Sequence, residues 1–245
     1  KRLVSPLFFE FTREFMTLDP SGWSLKWYKQ MVNICGVEVT TVCTDKWMRG
    51  TVNSFYIGIV STFIATALGT VAALGLSRPH MPFRALIMAI LISPMIVPLI
   101  ITAAGMFFFY SKLGLTHTYT GLILAHTALG TPFVVITVTA TLTGFDNNLI
   151  RASQSLGGDT MKTFFKVIMP LILPGVISGA LFAFITSFDE VVVVLFVGSV
   201  EQVTIPRQMW AGLRQEISPV ILCMATCLVA LSIGLLTTVE LLRRR

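Results

Sequence analysis

Charged residues are scarce in this chain. They make up 12% of its 245 residues, against about 25% in soluble globular domains. Hydrophobic residues make up 54%, and the mean hydropathy is +0.81. Such a composition cannot cover a water-facing surface, which excludes a soluble domain. The sequence also lacks the segments of alternating polarity, about ten residues each, that a transmembrane β-barrel needs.

Cysteine is rare as well, with four in the chain. Cys35 and Cys43 lie in a segment that we place outside the cell, where a disulfide could form. Two unpaired thiols are equally compatible, because spacing alone does not show proximity. Cys223 and Cys227 share a helical face without a nearby His or carboxylate, so we expect packing or lipid contact there and no metal site.

Five long stretches contain no charged residue. They are 51–77, 85–111, 113–145, 167–188 and 217–239. Each reaches the roughly 20 residues that a transmembrane helix needs, and Gly and Pro recur in them, as lipid-embedded helices tolerate. We therefore predict an all-α integral membrane protein with five transmembrane helices in residues 51–245. Residues 1–50 are predicted as an external segment with short helices, and we expect a sixth, preceding helix in the intact subunit.

The chain has a net charge of +6, and its positive residues are concentrated in alternate loops. This distribution favours membrane topology over nucleic-acid binding as the explanation of the charge. By the positive-inside rule, the more basic segments 78–84 and 143–166 and the Arg-rich tail lie in the cytoplasm. Segments 111–120 and 199–219 then lie outside. Residues 1–50 would also lie outside, although they contain seven Lys and Arg.

Five residues in or beside the apolar stretches are candidates for a translocation path. Pro94 and Pro98 kink the second stretch, either to accommodate packing or to shape a path. His126 in the third either bonds a neighbouring helix or binds a ligand. Asp189 and Glu190 follow the fourth, where an unpaired carboxylate in hydrocarbon costs about 3 kcal/mol. They face a cavity, a partner or the headgroup layer, and we expect Asp189 to lie nearer the interior.

Segment 143–170 between the third and fourth stretches is polar, basic and interrupted by glycine. A short helix is predicted over 149–156, then a sharp turn at Gly157-Gly158 and a cap at Asp159 or Thr160. A second helix then presents one apolar face, formed by Met161, Phe164, Phe165 and Ile168. That face needs a protein groove to bury it. The alternative is a hairpin that packs on the cytoplasmic end of its own bundle.

This segment resembles the cytoplasmic EAA loop of ABC-importer permeases. Arg151, Ala152 and Ser153 stand at the EAA positions, Gly157 at the glycine, and 168–170 at the closing I-x-LP. Arg151 reverses the charge of the family's Glu. The resemblance implies docking on the ATPase subunits through the following set: Arg151, Ala152, Ser153, Leu156, Gly157, Gly158, Met161, Phe164, Phe165 and Pro170.

Four further segments resemble the permeases of importers for spermidine, putrescine and related amino compounds. They are WSLKWY at 23–28, SPMIVP at 93–98, GLILAHTALGTPFVV at 121–135 and SFDEVVV at 187–193. The resemblance implies a multi-pass protein of the bacterial inner membrane, embedded in lipid, that forms a path with a second permease. A dimer of ATP-binding subunits would drive it and an external binding protein would supply it.

The sequence contains no Walker motif and no nucleophile constellation, so we expect no catalytic residue on this chain. It also contains no DNA-binding module, and we expect no nucleic-acid partner. ATP and Mg²⁺ would bind the partner ATPase, with no cofactor here. Two other interpretations remain: an ion-coupled secondary transporter that uses Asp189, Glu190 and His126, and a membrane assembly subunit that transports nothing.

Overall fold

A computed structural model describes residues 9–11, 20–23, 26–32, 46–78, 80–146, 148–215 and 219–243. Cys35 and Cys43 lie outside these ranges. The elements are β1 (Phe9–Phe11), β2 (Pro20–Trp23), α1 (Lys26–Met31), α2 (Lys46–Leu76), α3 (Arg84–Ile96), α4 (Leu99–Leu113), α5 (Tyr119–Thr143), α6 (Asn148–Ser155), α7 (Thr160–Thr163), a π-helical turn (Phe164–Ile168), α8 (Met169–Phe188), α9 (Val192–Val197), α10 (Ile205–Gln215) and α11 (Pro219–Arg243).

Helices of membrane-spanning length dominate the described part of the chain, which confirms the all-α membrane class. Three are long and apolar enough to cross a bilayer: Lys46–Leu76, Tyr119–Thr143 and Thr160–Phe188. Among the described residues of α11, the apolar helix Val220–Gly234 is shorter than this.

The second predicted span is bent, as expected from its prolines, but the bend divides it into two helices. α3 and α4 meet at an angle of 103°, so together they form a broken span or a re-entrant loop. The break follows from Val97, whose backbone is extended (ψ 136°). Pro98 then has no N–H to continue the helix, and α4 starts at Leu99.

The chain divides into two compact units, one of which comprises residues 1–52 and 207–245. In this unit β1 and β2 pair antiparallel, with Phe9 opposite Trp23, where we had predicted short helices only. α1 packs against α11. On α10 the Arg214 guanidinium lies 5.0 Å from the Trp210 ring centroid.

The other unit, residues 53–206, is built on the close packing of α5 against α8. Glycines in α8 allow this approach. A Cβ atom at Gly179 would lie 2.8 Å from the Cα atom of Val134. The shared core includes Val134, Val138, Ile172 and Ala183. Because α5 also packs against α3 and α9, it is the most buried of the three long helices.

Candidate functional site

The segment between α5 and α8 folds as a helix–turn–helix, which we call the elbow (residues 148–168). α6 begins at Asn148, whose N–H lies 2.9 Å from Asp146 Oδ1 and donates to it. The second helix is capped by Asp159, whose Oδ1 accepts from the Lys162 N–H at 2.7 Å. The predicted first helix, turn and Asp159 cap are therefore confirmed as local structure.

Two adjacent glycines make the turn, for different reasons. Gly157 has a φ of +78°, a left-handed conformation that costs other residues about 1–2 kcal/mol. Gly158 sits where a Cβ atom would lie 2.6 Å from Ser153 Oγ and 2.8 Å from the Ser153 carbonyl oxygen. The Ser153 hydroxyl bonds the buried Thr163 hydroxyl at 2.9 Å, which ties α6 to α7. Ser153 thus has a structural role that the sequence did not reveal.

The predicted single apolar face of the second helix is wrong, because a π-helical turn begins at Phe164 and changes the angular spacing of the side chains. Met161 and Phe165 are 66% and 59% exposed. Phe164 is half-buried, and Ile168 packs against the core that contains Val138. The face is split into an outward half and an inward half.

The outward half joins the turn to form an apolar tip. Leu156, the residue before the two glycines, is 89% exposed, and Met161 and Phe165 follow it on the other side of the turn. We call Leu156, Met161 and Phe165 the apolar tip. Arg151 and Ala152 on α6 are exposed, as is Pro170 at the start of α8.

Basic side chains accompany the tip. Arg151, Lys162 and Lys166 are all exposed. Lys162 lies 3.9 Å from Asp159. Among the residues that the structure describes, no carboxylate lies within ion-pair distance of Arg151 or Lys166.

The two carboxylates after α8 have different surroundings. Asp189 is the exposed C-cap residue of α8. Glu190 is 6% exposed, and its Oε1 accepts from the Val193 N–H in the first turn of α9 at 2.8 Å. Burial raises the pKa of the Glu190 carboxyl, whereas donation from the backbone of Val193 and Val192 acts in the opposite direction. The two neighbouring carboxylates therefore differ in burial within the subunit, whereas their depth in the membrane stays a prediction.

His126 is a helix-linking residue in this structure. It is buried on α5, and its Nδ1 lies 2.7 Å from Ser187 Oγ on α8. Ser187 Oγ in turn lies 3.0 Å from Ser61 Oγ on α2. The hydrogen-bonding interpretation of His126 is confirmed.

The bend and the acidic pair are connected indirectly. Pro94 is half-buried within α3, and Pro98 is exposed at the break. α4, which follows Pro98, packs against α9, the helix whose first turn Glu190 caps. The bend is therefore linked to Glu190 through the packing of α4 against α9.

The structure contains a polar clamp that was not predicted from the sequence. Asn53 Nδ2 donates to the carbonyl oxygens of Glu201 and Val203 at 2.8 and 2.9 Å, and Tyr119 OH donates to Asn53 Oδ1 at 3.0 Å. The Ile205 N–H donates to Ser54 Oγ at 2.8 Å. The signal available was an Asn-Ser pair at the start of an apolar stretch. The clamp holds the segment after α9 against α2 and α5.

Curated permease proteins are similar to this chain in sequence. The chain is 27% identical over 235 residues to the spermidine/putrescine transport system permease protein PotC of Haemophilus influenzae, covering 96% of this chain and 88% of that protein. It is 28% identical over 219 residues to the putrescine transport system permease protein PotI of Escherichia coli, covering 84% and 72%.

Two solved structures share the fold. A chain of the inward-facing MetNI methionine ABC transporter aligns with a TM-score of 0.60 at 24% identity, covering 76% of this chain and 88% of that one. A bacterial ABC transporter that imports the acidic polysaccharide alginate aligns with a TM-score of 0.70 at 14% identity, covering 95% and 86%.

Residues 65–245 match the family described as the binding-protein-dependent transport system inner membrane component. This match covers most of the transmembrane part, including the elbow and the acidic pair. The chain belongs to this family and is a multi-pass inner-membrane permease subunit of a bacterial ABC importer.

Proposed function

We propose that this chain and a second permease form the path for a polyamine or a related amino compound, and that the elbow couples the path to partner ATPase subunits. The observation that carries the coupling role is the apolar tip, which has no cover within the described part of the chain. The substrate class is supported by the names of the relatives PotC and PotI.

The length of the continuous helical stretch from α7 to α8 supports a protein partner for the tip. Thr160–Phe188 contains 29 residues, which amount to about 43 Å at 1.5 Å per residue. The hydrocarbon layer is about 30 Å thick, and a tilt of about 20° leaves roughly 10 Å of helix outside it. If Phe188 lies at one boundary, Met161 stands about 8 Å clear of the acyl chains at the other, where a protein groove can bury it, and Phe165 lies within about 2 Å of that boundary.

Continuity of the helix gives a route for coupling. α7, the π-helical turn and α8 form one uninterrupted stretch, and α8 packs closely on α5 through Gly175 and Gly179. A movement imposed on the tip by ATPase closure would therefore move α8 and α5 together. ATP and Mg²⁺ would bind the ATPase dimer, and an external binding protein would deliver the substrate.

Asp189 is the candidate contact for substrate ammonium groups. It is exposed and lies at the end of α8 remote from the elbow. An opposite charge at about 4 Å is worth roughly 4 kcal/mol at an effective dielectric constant near 20, enough to offset part of the desolvation of an ammonium group. The membership in a binding-protein-dependent family favours this arrangement over an ion-coupled secondary transporter.

The double variant Leu156→Asp with Phe165→Asp tests the coupling role. Both side chains are exposed, so the subunit should still insert and fold, while the ATPase subunits no longer co-purify and uptake of radiolabelled putrescine into vesicles is lost. Leu113→Asp is the matched control, because Leu113 is an exposed leucine at the end of α4. Normal uptake by the double variant, with the ATPase still bound, would refute the coupling role.

A further inference from the structure

Residues 146–168, which comprise the elbow and the two positions before it, contain two acidic and three basic residues, and both acidic side chains accept hydrogen bonds from the elbow's own backbone. Asp146 accepts the N–H of Asn148. Asp159 accepts the N–H of Lys162 and lies near its ammonium group. Carboxylates at helix N-termini are satisfied by the backbone donors and the helix dipole. Arg151 and Lys166 are the elbow's cations without an ion partner among the described residues.

The positions of these cations relative to the tip follow from helical spacing. Met161 and Phe165 are four residues apart on the second helix, and Lys162 and Lys166 form the adjacent row. On α6, Arg151 is five residues before Leu156, which places it about 7.5 Å from Leu156 along the helix axis and about 140° around it. The lysines therefore border the apolar tip directly, and Arg151 is the exposed cation on the flank of α6. A partner surface wide enough to cover both the tip and α6 reaches cations on both helices.

Covering the tip removes water from these cations as well. An arginine or lysine that loses its hydration without gaining an acceptor is strongly disfavoured. A guanidinium group is matched best by a carboxylate, which it can bond through two parallel N–H groups. The chemistry that fits this face is an apolar groove with acidic residues at its rim.

We infer that the ATPase subunit which receives this elbow has an acidic rim, with one carboxylate opposite Arg151 and a second near Lys166. This inference rests on the proposed coupling role. Arg151 thereby becomes a specificity-determining residue that matches this permease to its own ATPase.

Anionic lipid headgroups are the other source of negative charge near the elbow. They would attract the cations, but they offer no apolar groove for Met161, which lies about 8 Å beyond the hydrocarbon on the second helix. The protein partner satisfies both the apolar and the charged halves of the surface.

Charge reversal in the reconstituted complex tests the inference. In Arg151→Glu, and in the double variant with Lys166→Glu, we expect ATPase association to weaken roughly tenfold or more, because like charges then face each other across the interface. Arg151→Lys should retain association. Arg84→Glu is the control, since Arg84 is an exposed arginine at the start of α3 and is not part of the elbow.

A compensating charge change in the ATPase would identify the carboxylate that faces Arg151. Each Asp and Glu at the docking groove of the ATPase is changed to Lys in turn, and one such change should restore association to Arg151→Glu while weakening it for the unchanged permease. If Arg151→Glu binds the ATPase normally but Leu156→Asp with Phe165→Asp does not, the acidic rim is refuted and the coupling role stands. If both bind normally, the coupling role itself fails.

If anionic lipids supply the negative charge, the variants give a different result. In that case Arg151→Glu would bind the ATPase normally in detergent, and its transport would differ from that of the unchanged protein only in vesicles that contain anionic phosphatidylglycerol. That result would also overturn the acidic rim.

Discussion

At the scale of single residues, neighbouring side chains of the same type have separate roles. Asp189 and Glu190 are adjacent, yet one is exposed at the end of α8 and the other is buried and bonded to the first turn of α9. Gly157 is needed for its positive φ, and Gly158 for the close approach of Ser153. The role of each residue is set by the atoms around it.

The acidic pair can be separated by substitution. Asp189→Asn should lower putrescine uptake several-fold while ATPase association is kept, because it removes an exposed charge and no side-chain hydrogen bond among the described residues. Glu190→Gln should have a smaller effect, since its side-chain oxygen can still accept the Val193 N–H. Glu190→Ala removes this cap, which costs about 1 kcal/mol, and should lower the thermal stability of the purified complex.

Uptake in vesicles and thermal unfolding in detergent measure these effects. Equal loss of uptake in Asp189→Asn and Glu190→Gln, with unchanged stability, would show that both carboxylates face the substrate. Unchanged uptake in Asp189→Asn would remove this residue from the path.

At the scale of elements, the elbow depends on the contact between α6 and α7. A Cβ atom at Gly158 would press on Ser153 and, at 3.2 Å, on Thr163 Oγ1, so Gly158→Ala should separate the two helices and displace the apolar tip. We expect transport and ATPase association to fall while membrane insertion is unchanged. Gly144→Ala is the matched control, because Gly144 has a φ of −88° and its nearest neighbour would lie 3.9 Å away.

Co-purification and uptake are the measurements for this pair of variants. If Gly158→Ala and Gly144→Ala behave alike, the spacing of α6 and α7 does not set the position of the tip. Adding Ser153→Gly to Gly158→Ala removes the clash with the serine hydroxyl and leaves the one with the carbonyl oxygen of residue 153 at 2.8 Å, so coupling should be restored only in part.

Local chemistry explains which elements could be predicted from the sequence. The turn at Gly157-Gly158 and the cap at Asp159 depend on residues within a few positions, so their signals are visible in the chain. The Asn53 clamp was not predictable in this way, because Asn53 bonds a carbonyl 148 positions away. The kink at Pro94 and Pro98 was expected, but its angle of 103° depends on packing of α3 against α5 and α4 against α9.

At the scale of the whole molecule, topology decides whether the elbow and Asp189 can have their proposed roles. The positive-inside rule places the elbow in the cytoplasm and the segments near 112 and 200 outside. This arrangement puts the apolar tip on the side where ATP is available, and it puts Asp189 toward the side from which a binding protein delivers substrate.

Thiol labelling checks this orientation. In a background with the four native cysteines replaced by serine, Lys112→Cys and Val200→Cys should react with a membrane-impermeant maleimide in intact spheroplasts. Ser155→Cys should react only after permeabilisation. All of these positions are exposed, so accessibility within the subunit does not bias the comparison. The reverse pattern would overturn the orientation and, with it, the coupling role.

The π-helical turn at Phe164–Ile168 sets the azimuth of the apolar tip around the axis of α8. An α-helix rotates by about 100° for each residue and rises by about 1.5 Å. An α-helical turn holds about one residue fewer than a π-helical turn, so deleting one residue here would let the turn close as α-helix and keep α7 and α8 continuous. The end of the helix would then move toward the membrane by about 1.5 Å, and an ATPase groove would meet it at almost the same distance from the bilayer.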